Sequence, residues 1–251
     1  DYLINGSLST KFQSSKEKLE EISSTFFESK LFNNQFKIDV DLIHEFSAVV
    51  SKKLKINDYE YNLNGLVEKL DISLNKNMRF NFSEEEISKL LFKKNQIKLS
   101  VNKKNNNILK LEGDVKFNNG KLESYKLENR FNSKKNNINL DLNISDEINI
   151  DLINYTKNNK KKANITANLI LKNKELYLKK IKYIEDKSTI ILNNLEIDKN
   201  KKLIKFSDVS VKTFKDNMIQ NDFNIKFGKL IKIKGSNYDS TNLIEIINSR
   251  S

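Results

Sequence analysis

Apolar residues at every second position dominate this chain. Phe36, Ile38, Val40 and Leu42 alternate with polar residues. So do Leu109, Leu111, Gly113, Val115 and Phe117, then Ile138, Leu140, Leu142 and Ile144, then Ala163, Ile165, Ala167, Leu169 and Leu171. A further run of Phe223, Ile225, Phe227, Lys229, Ile231 and Ile233 breaks only at Lys229. Residues two apart point to the same side of a strand, so each run has one apolar face and one face of Lys, Asn, Asp and Glu. One-sided strands belong to antiparallel sheets rather than to parallel sheets buried on both faces. Short polar clusters punctuate the runs at Asn118-Asn119-Gly120, 103–107, 134–137, 157–161 and 199–202. Asn and Gly accept the positive φ that tight hairpins require. Where the parity changes between Leu176/Leu178 and Ile181/Tyr183, a bulge near Lys179 and Lys180 restores the apolar face. The expectation is a mainly β chain, a long-stranded antiparallel meander over about 96–236.

Three stretches depart from period two and are expected as short α-helices. Residues 14–31 place Leu19, Ile22 and Phe26 at helical spacing behind a Ser14/Glu17 capping box. Residues 83–94 repeat the device with Ser83 and Glu86 ahead of Ile87, Leu90 and Leu91, and Lys93 and Lys94 at the negative end of the dipole. Residues 239–249 offer Asp239 or Ser240 as cap and Leu243, Ile246 and Ile247 on one side. No linker or domain boundary is evident, so residues 1–251 read as one elongated segment. Three short helices are too few to cover roughly a dozen one-sided strands. The apolar faces therefore either bury one another in a β-sandwich or line a curved, groove-like sheet.

Composition excludes several chemistries. The 251 residues contain no Cys, no Pro, no Trp and a single His. A disulfide framework, a thiolate metal site and a cysteine nucleophile are ruled out, and histidine-rich zinc sites or Ser-His-Asp catalysis have little to work with. Asn and Lys together make up roughly a third of the chain, far above ordinary usage. Both have A/T-rich codons, so compositional bias explains the excess, and a net charge of +12 built almost without Arg is poor evidence for nucleic acid. The acids Glu84, Glu85 and Glu86 suit a helix N-terminus. His44, beside Glu45, reads as a solvated or satisfied histidine near a strand end. Asp141, Asp146, Glu147 and Asp151 read as a wet strand face without calcium-loop spacing. The lysine clusters at 103–104, 134–135, 160–162 and 201–202 read as solubility and edge protection, with contact to anionic head groups as their functional version. No residue set stands out for an enzyme, a metal or a cofactor, so none is expected. No apolar run is long enough to span a bilayer.

The C-terminal third resembles a known family. The segments Phe206-Ser-Asp-Val-Ser-Val-Lys-Thr-Phe, Asp222-Phe-Asn-Ile-Lys-Phe and Leu230 to Glu245 are similar to the closing units of AsmA-like proteins, in particular the YhdP-type branch of Gram-negative bacteria. The shared pattern is a strand, a Gly, a polar step, an Asp and a Leu/Ile-rich stretch, here Gly235, Tyr238, Asp239, Leu243 and Ile244. The resemblance is good over about 50 residues and loose from Asn107 onward. It implies a periplasmic segment of an inner-membrane-anchored protein, its anchor outside this sequence, whose apolar β-groove conveys phospholipid between inner and outer membranes. The implied partners are phospholipid or another acyl lipid, components of both membranes, and neighbouring segments of the same longer chain. The groove lining is expected at Phe117, Ile165, Leu169, Phe223, Ile225, Phe227 and Ile231. Two other functions compete: a cell-envelope scaffold aiding outer-membrane protein biogenesis, and a secreted β-sandwich adhesin-like module.

Overall fold

The computed structural model describes residues 1–24, 34–78, 86–172, 175–197, 203–205 and 207–242. The described residues divide into two compact units, the first comprising 1–78 and 86–133 and the second beginning at Lys134. Both are mainly β, as the alternation predicts.

The first unit is a six-stranded antiparallel meander: β1 (Tyr2–Ser15), β2 (Gln35–Val50), β3 (Ile56–Met78), β4 (Ile87–Asn102), β5 (Asn107–Phe117) and β6 (Leu122–Phe131), each paired with the next. One helix, α1 (Lys16–Ser24), follows β1. The second unit contains β7 (Lys135–Ile144), β8 (Ile148–Ile150), β9 (Tyr155–Lys157), β10 (Ala163–Lys172), β11 (Glu175–Glu185), β12 (Ser188–Ile197), β13 (Leu203–Lys205), β14 (Asp208–Lys215), β15 (Met218–Lys226) and β16 (Lys232–Asn237). Its main sheet runs in the order β7-β10-β11-β12-β14-β15-β16, with β13 beside β12, while β8 and β9 make a separate small hairpin joined by a 3-10 turn at Asp151–Ile153. Both meanders form open, curved sheet; among the described residues β1 pairs only with β2, and β16 only with β15.

Asparagine supplies the turn geometry. Asn105, Asn118, Asn217, Asp186 and Asp216 take positive φ in hairpin loops, whereas no described glycine does. Asn118 also accepts the Ser88 backbone N–H at 3.0 Å and donates to the Glu86 carbonyl at 2.8 Å, so one turn residue sutures two strands. Bulges tune the pleat. Lys179 is the extra residue where Asn168 pairs with Lys180 and Leu169 with Leu178, as the parity change predicts. Glu68 does the same in β3, and Lys94 with Asn95 oppose Gly113 between β4 and β5.

Several expectations are corrected. The meander begins at Tyr2, not near 96. The helix expected over 83–94 is strand from Ile87 onward; Leu90 and Phe92 also fit period two, and pairing with Ile72 and Leu70 overrides the local helical spacing; 83–85 lie outside the described residues. Of 14–31, Ser14 and Ser15 belong to β1 and the helix occupies Lys16–Ser24; Phe26 to Leu31 lie outside the described residues. Asp239–Asn242 is not helical, and 243–249 lie outside them too. The run from Phe223 to Ile233 is two strands, not one: the chain bends at residues 228–230 and returns to pair Ile233 with Ile225. In the first unit all six strands belong to one sheet, so the sandwich alternative does not describe it.

Candidate functional site

The register assembles the alternating runs of the first unit into one surface, because directly paired residues share a face. In β1 that face carries Tyr2, Ile4, Gly6, Leu8, Thr10 and Phe12, opposite Val50, Ala48, Phe46, His44, Leu42 and Val40 of β2. In β3 it continues through Leu63, Gly65, Val67, Leu70 and Ile72 to Leu99, Ile97, Asn95, Phe92 and Leu90 of β4. In β5 and β6 it ends on Leu109, Leu111, Val115, Tyr125 and Leu127. Glu123 lies buried on the apolar face opposite Val115; the other face carries the ion pairs Lys11–Asp41 (3.5 Å), Lys89–Asp71 (3.4 Å) and Lys126–Glu112 (2.6 Å). Exposed pairs of this kind add little stability and mainly keep that face wet.

The apolar face is sealed only locally. Val40, Val67, Val115 and Tyr125 are buried, and burial pushes the Tyr125 hydroxyl up to about 12. Tyr2, Ile4, Leu8, Phe12 and Phe46 remain 39–59% exposed. Apart from α1, the described residues of this unit offer no element outside the sheet to cover them. His44 sits mid-strand on this face, not at a strand end, and is satisfied on both sides: Nε2 lies 2.7 Å from Thr10 Oγ1 and Nδ1 lies 2.7 Å from the Tyr61 hydroxyl.

In the second unit the hairpin β8–β9 folds over the apolar face. Ile148, Ile153 and Tyr155 bury themselves against Ala163, Tyr183, Val211 and Phe223, with Ile144, Ile165, Ile190 and Ile225 around them. Polar ties hold it there. Lys157, fully buried, donates to the carbonyls of Ser145 (3.0 Å) and Asp146 (2.7 Å). The Tyr155 hydroxyl donates to buried Glu185 and lies 3.0 Å from the Tyr183 hydroxyl, while Lys161 supplies the counter-charge at 3.2 Å. Burial holds both phenols well above the usual tyrosine range. Asn221 donates to the Ile153 carbonyl at 2.9 Å, and Gln220 to the Asn154 carbonyl at 2.6 Å.

Comparison with protein-family models, with curated proteins and with solved structures finds no match. The site is therefore read from geometry.

The expected lining residues divide. Phe117 lies on the first unit's apolar face opposite Leu90 and is half-buried. Ile165 and Leu169 lie on the second unit's apolar face, opposite Leu142 and Ile138. Phe223 is sealed core beneath the hairpin, and Ile225 packs beside it. Phe227 and Ile231 flank the bend between β15 and β16, 39% and 60% exposed, and belong to neither strand. The strip missed by sequence reading is Tyr2, Ile4, Leu8 and Phe12, whose alternation is interrupted by Gly6 and Thr10.

The motif residues turn out to be fasteners. Gly235 pairs with Phe223. The Tyr238 ring meets Phe223 edge-on at 5.3 Å, and its hydroxyl donates to the Leu152 carbonyl at 3.0 Å. Asp239 accepts from Thr241, Gln220 and Asn154, which hold its carboxyl well below the usual carboxylate range; Leu243 lies outside the described residues. A depressed folded value makes this stabilisation fully present above about pH 4 and lost as pH falls through the folded value. Acid titration of unfolding should thus show a loss of second-unit stability on acidification that is smaller in Asp239→Asn, and equal slopes in the two proteins would refute the assignment. The lysine clusters are partly structural: Lys103 donates to the carbonyls of Ile56 and Asn57, and Lys161 pairs with Glu185 and Asp186.

Proposed function

We propose that this chain is a non-enzymatic, lipid-binding segment of an envelope conduit of the AsmA-like, YhdP-type kind, taking phospholipid acyl chains on an apolar β-face in the periplasm and passing them between inner and outer membranes. The observation that carries this reading is the first unit's single-layer sheet, largely apolar on one side across six strands and exposed along Tyr2, Ile4, Leu8, Phe12 and Phe46. Aliphatic and aromatic side chains in that arrangement solvate hydrocarbon, each buried methylene contributing about 0.8 kcal/mol. The charged reverse face keeps the sheet in water. In the second unit the β8–β9 hairpin occupies part of the equivalent surface, which leaves its acyl-binding area smaller.

Native mass spectrometry of the purified chain should find copurified phospholipid. Phe12→Asp combined with Phe46→Asp should remove it and abolish displacement of a fluorescent fatty acid, with the strand signal in circular dichroism unchanged. Those side chains already meet solvent, so the exchange does not bury a charge in the empty protein. A wild-type chain that carries no lipid and displaces no probe would end the lipid reading.

A further inference from the structure

A hydrogen-bonded rung of three polar side chains crosses the first unit's apolar face. Thr10 of β1, His44 of β2 and Tyr61 of β3 lie on that face by register, each half-buried. Their links run diagonally between neighbouring strands, since Thr10 stands directly opposite Leu42 and Tyr61 opposite Phe46. Thr10 Oγ1 lies 2.7 Å from His44 Nε2, and His44 Nδ1 lies 2.7 Å from the Tyr61 hydroxyl. The surroundings are apolar: Leu8 and Phe12 flank Thr10, Leu42 and Phe46 flank His44, and Leu63 pairs with it. The hydrogens of the rung outnumber its bonds. A neutral imidazole has one donor and one acceptor, and each hydroxyl carries one hydrogen. The two bonds therefore leave one hydroxyl hydrogen unused, on Tyr61 or on Thr10 according to the histidine tautomer. An imidazolium would leave both unused. Neither hydroxyl has a further partner among the described residues.

We propose that this rung holds the ester carbonyl of an O-acyl lipid, so that the face takes acyl esters in preference to bare hydrocarbon; this deepens the lipid-binding reading above and rests on it. An ester carbonyl is an acceptor with no hydrogen of its own, and a glycerolipid carries one at the head of each acyl chain. It therefore satisfies the spare hydroxyl without bringing a donor that would go unpaired. The acyl carbons beyond it meet Leu8, Phe12 and Phe46, which are 39–58% exposed. Selectivity follows from the cost of covering a polar group. A chain with no carbonyl at this point shuts the hydroxyl hydrogen away from water and gives it nothing in return, whereas an ester replaces the lost water.

The test uses a short-chain, water-soluble phosphatidylcholine with ester-linked chains and its ether-linked counterpart, identical in chain length and head group. Each competes with the fluorescent hydrocarbon diphenylhexatriene for the 251-residue chain. The ester lipid should show a Kd roughly five-fold lower, about what one hydrogen bond is worth. Thr10→Val, His44→Leu and Tyr61→Phe together remove the whole rung and leave no member unpaired, so circular dichroism should show the triple variant folded. That variant should bind the two lipids alike. The infrared band of an isotope-labelled ester carbonyl should lie at lower wavenumber in the wild-type complex than in the variant's. Wild-type protein that holds both lipids equally, or a triple variant that keeps the preference, overturns this inference and leaves the lipid reading standing. A wild-type chain that binds neither the hydrocarbon nor either lipid ends both.

Discussion

Phe223→Ala should destabilise the second unit by about 3–5 kcal/mol, the range for deleting a buried aromatic ring. The ring is 5% exposed, stands between the sheet and the β8–β9 hairpin with Ile153 and Val211 in the same cluster, and makes the edge-on contact with Tyr238. Its neighbours are tied by hydrogen bonds at Asn221, Gln220 and Asp239, so the site has little freedom to collapse into the void. Phe223→Leu, which keeps much of the volume, should cost far less. Urea unfolding, followed by hydrogen exchange of β14 and β15 amides, separates the two variants. Equal costs for Ala and Leu would mean that the hairpin does not seal this position.

The second large effect is expected at Gly65. A Cβ there would stand 2.2 Å from the Asp41 carbonyl oxygen and 2.8 Å from the Leu42 Cα, both backbone atoms that cannot swing aside. Gly65→Val should therefore cost about 3 kcal/mol or more, by forcing β2 and β3 apart in the middle of the apolar face. Gly6 is the control: the three atoms nearest its added Cβ all belong to the Phe46 ring, which a rotamer change moves aside, so Gly6→Ala should be much milder. Gly113 lies where Lys94 and Asn95 bulge, and its Cβ would approach the Asn95 Cα at 2.7 Å. Glycine here permits backbone to approach backbone beside a bulge, a known way of bending a sheet. Denaturation midpoints of the two variants decide the point, and a mild Gly65→Val would show that the strands are not in close contact.

The strands were legible because period two survives wherever one face stays apolar, and Lys179 was legible because parity must be repaired. The failures have physical causes. Ile87, Leu90 and Leu91 satisfy a helical stripe while Leu90 and Phe92 satisfy a strand, and only partners distant in sequence, Ile72 and Leu70, decide between them. Gly228 marks the bend that divides the last run, but a lone glycine reads equally as a bulge. That Phe223 is core and not lining depends on a hairpin some seventy residues earlier folding over it, and no local pattern encodes that. The N-terminal strip escaped because Gly6 and Thr10 dilute its alternation, although the register places both on the same side as Leu8 and Phe12.

Among the described residues, strands of the first unit pair with one another only when they are neighbours in sequence. Such a ribbon resembles a solenoid in its energetics, with cohesion passed from neighbour to neighbour rather than through a shared centre. Whole hairpins can then be gained or lost by descent without redesigning what remains, and the length of the ribbon becomes a quantity that evolution adjusts two strands at a time.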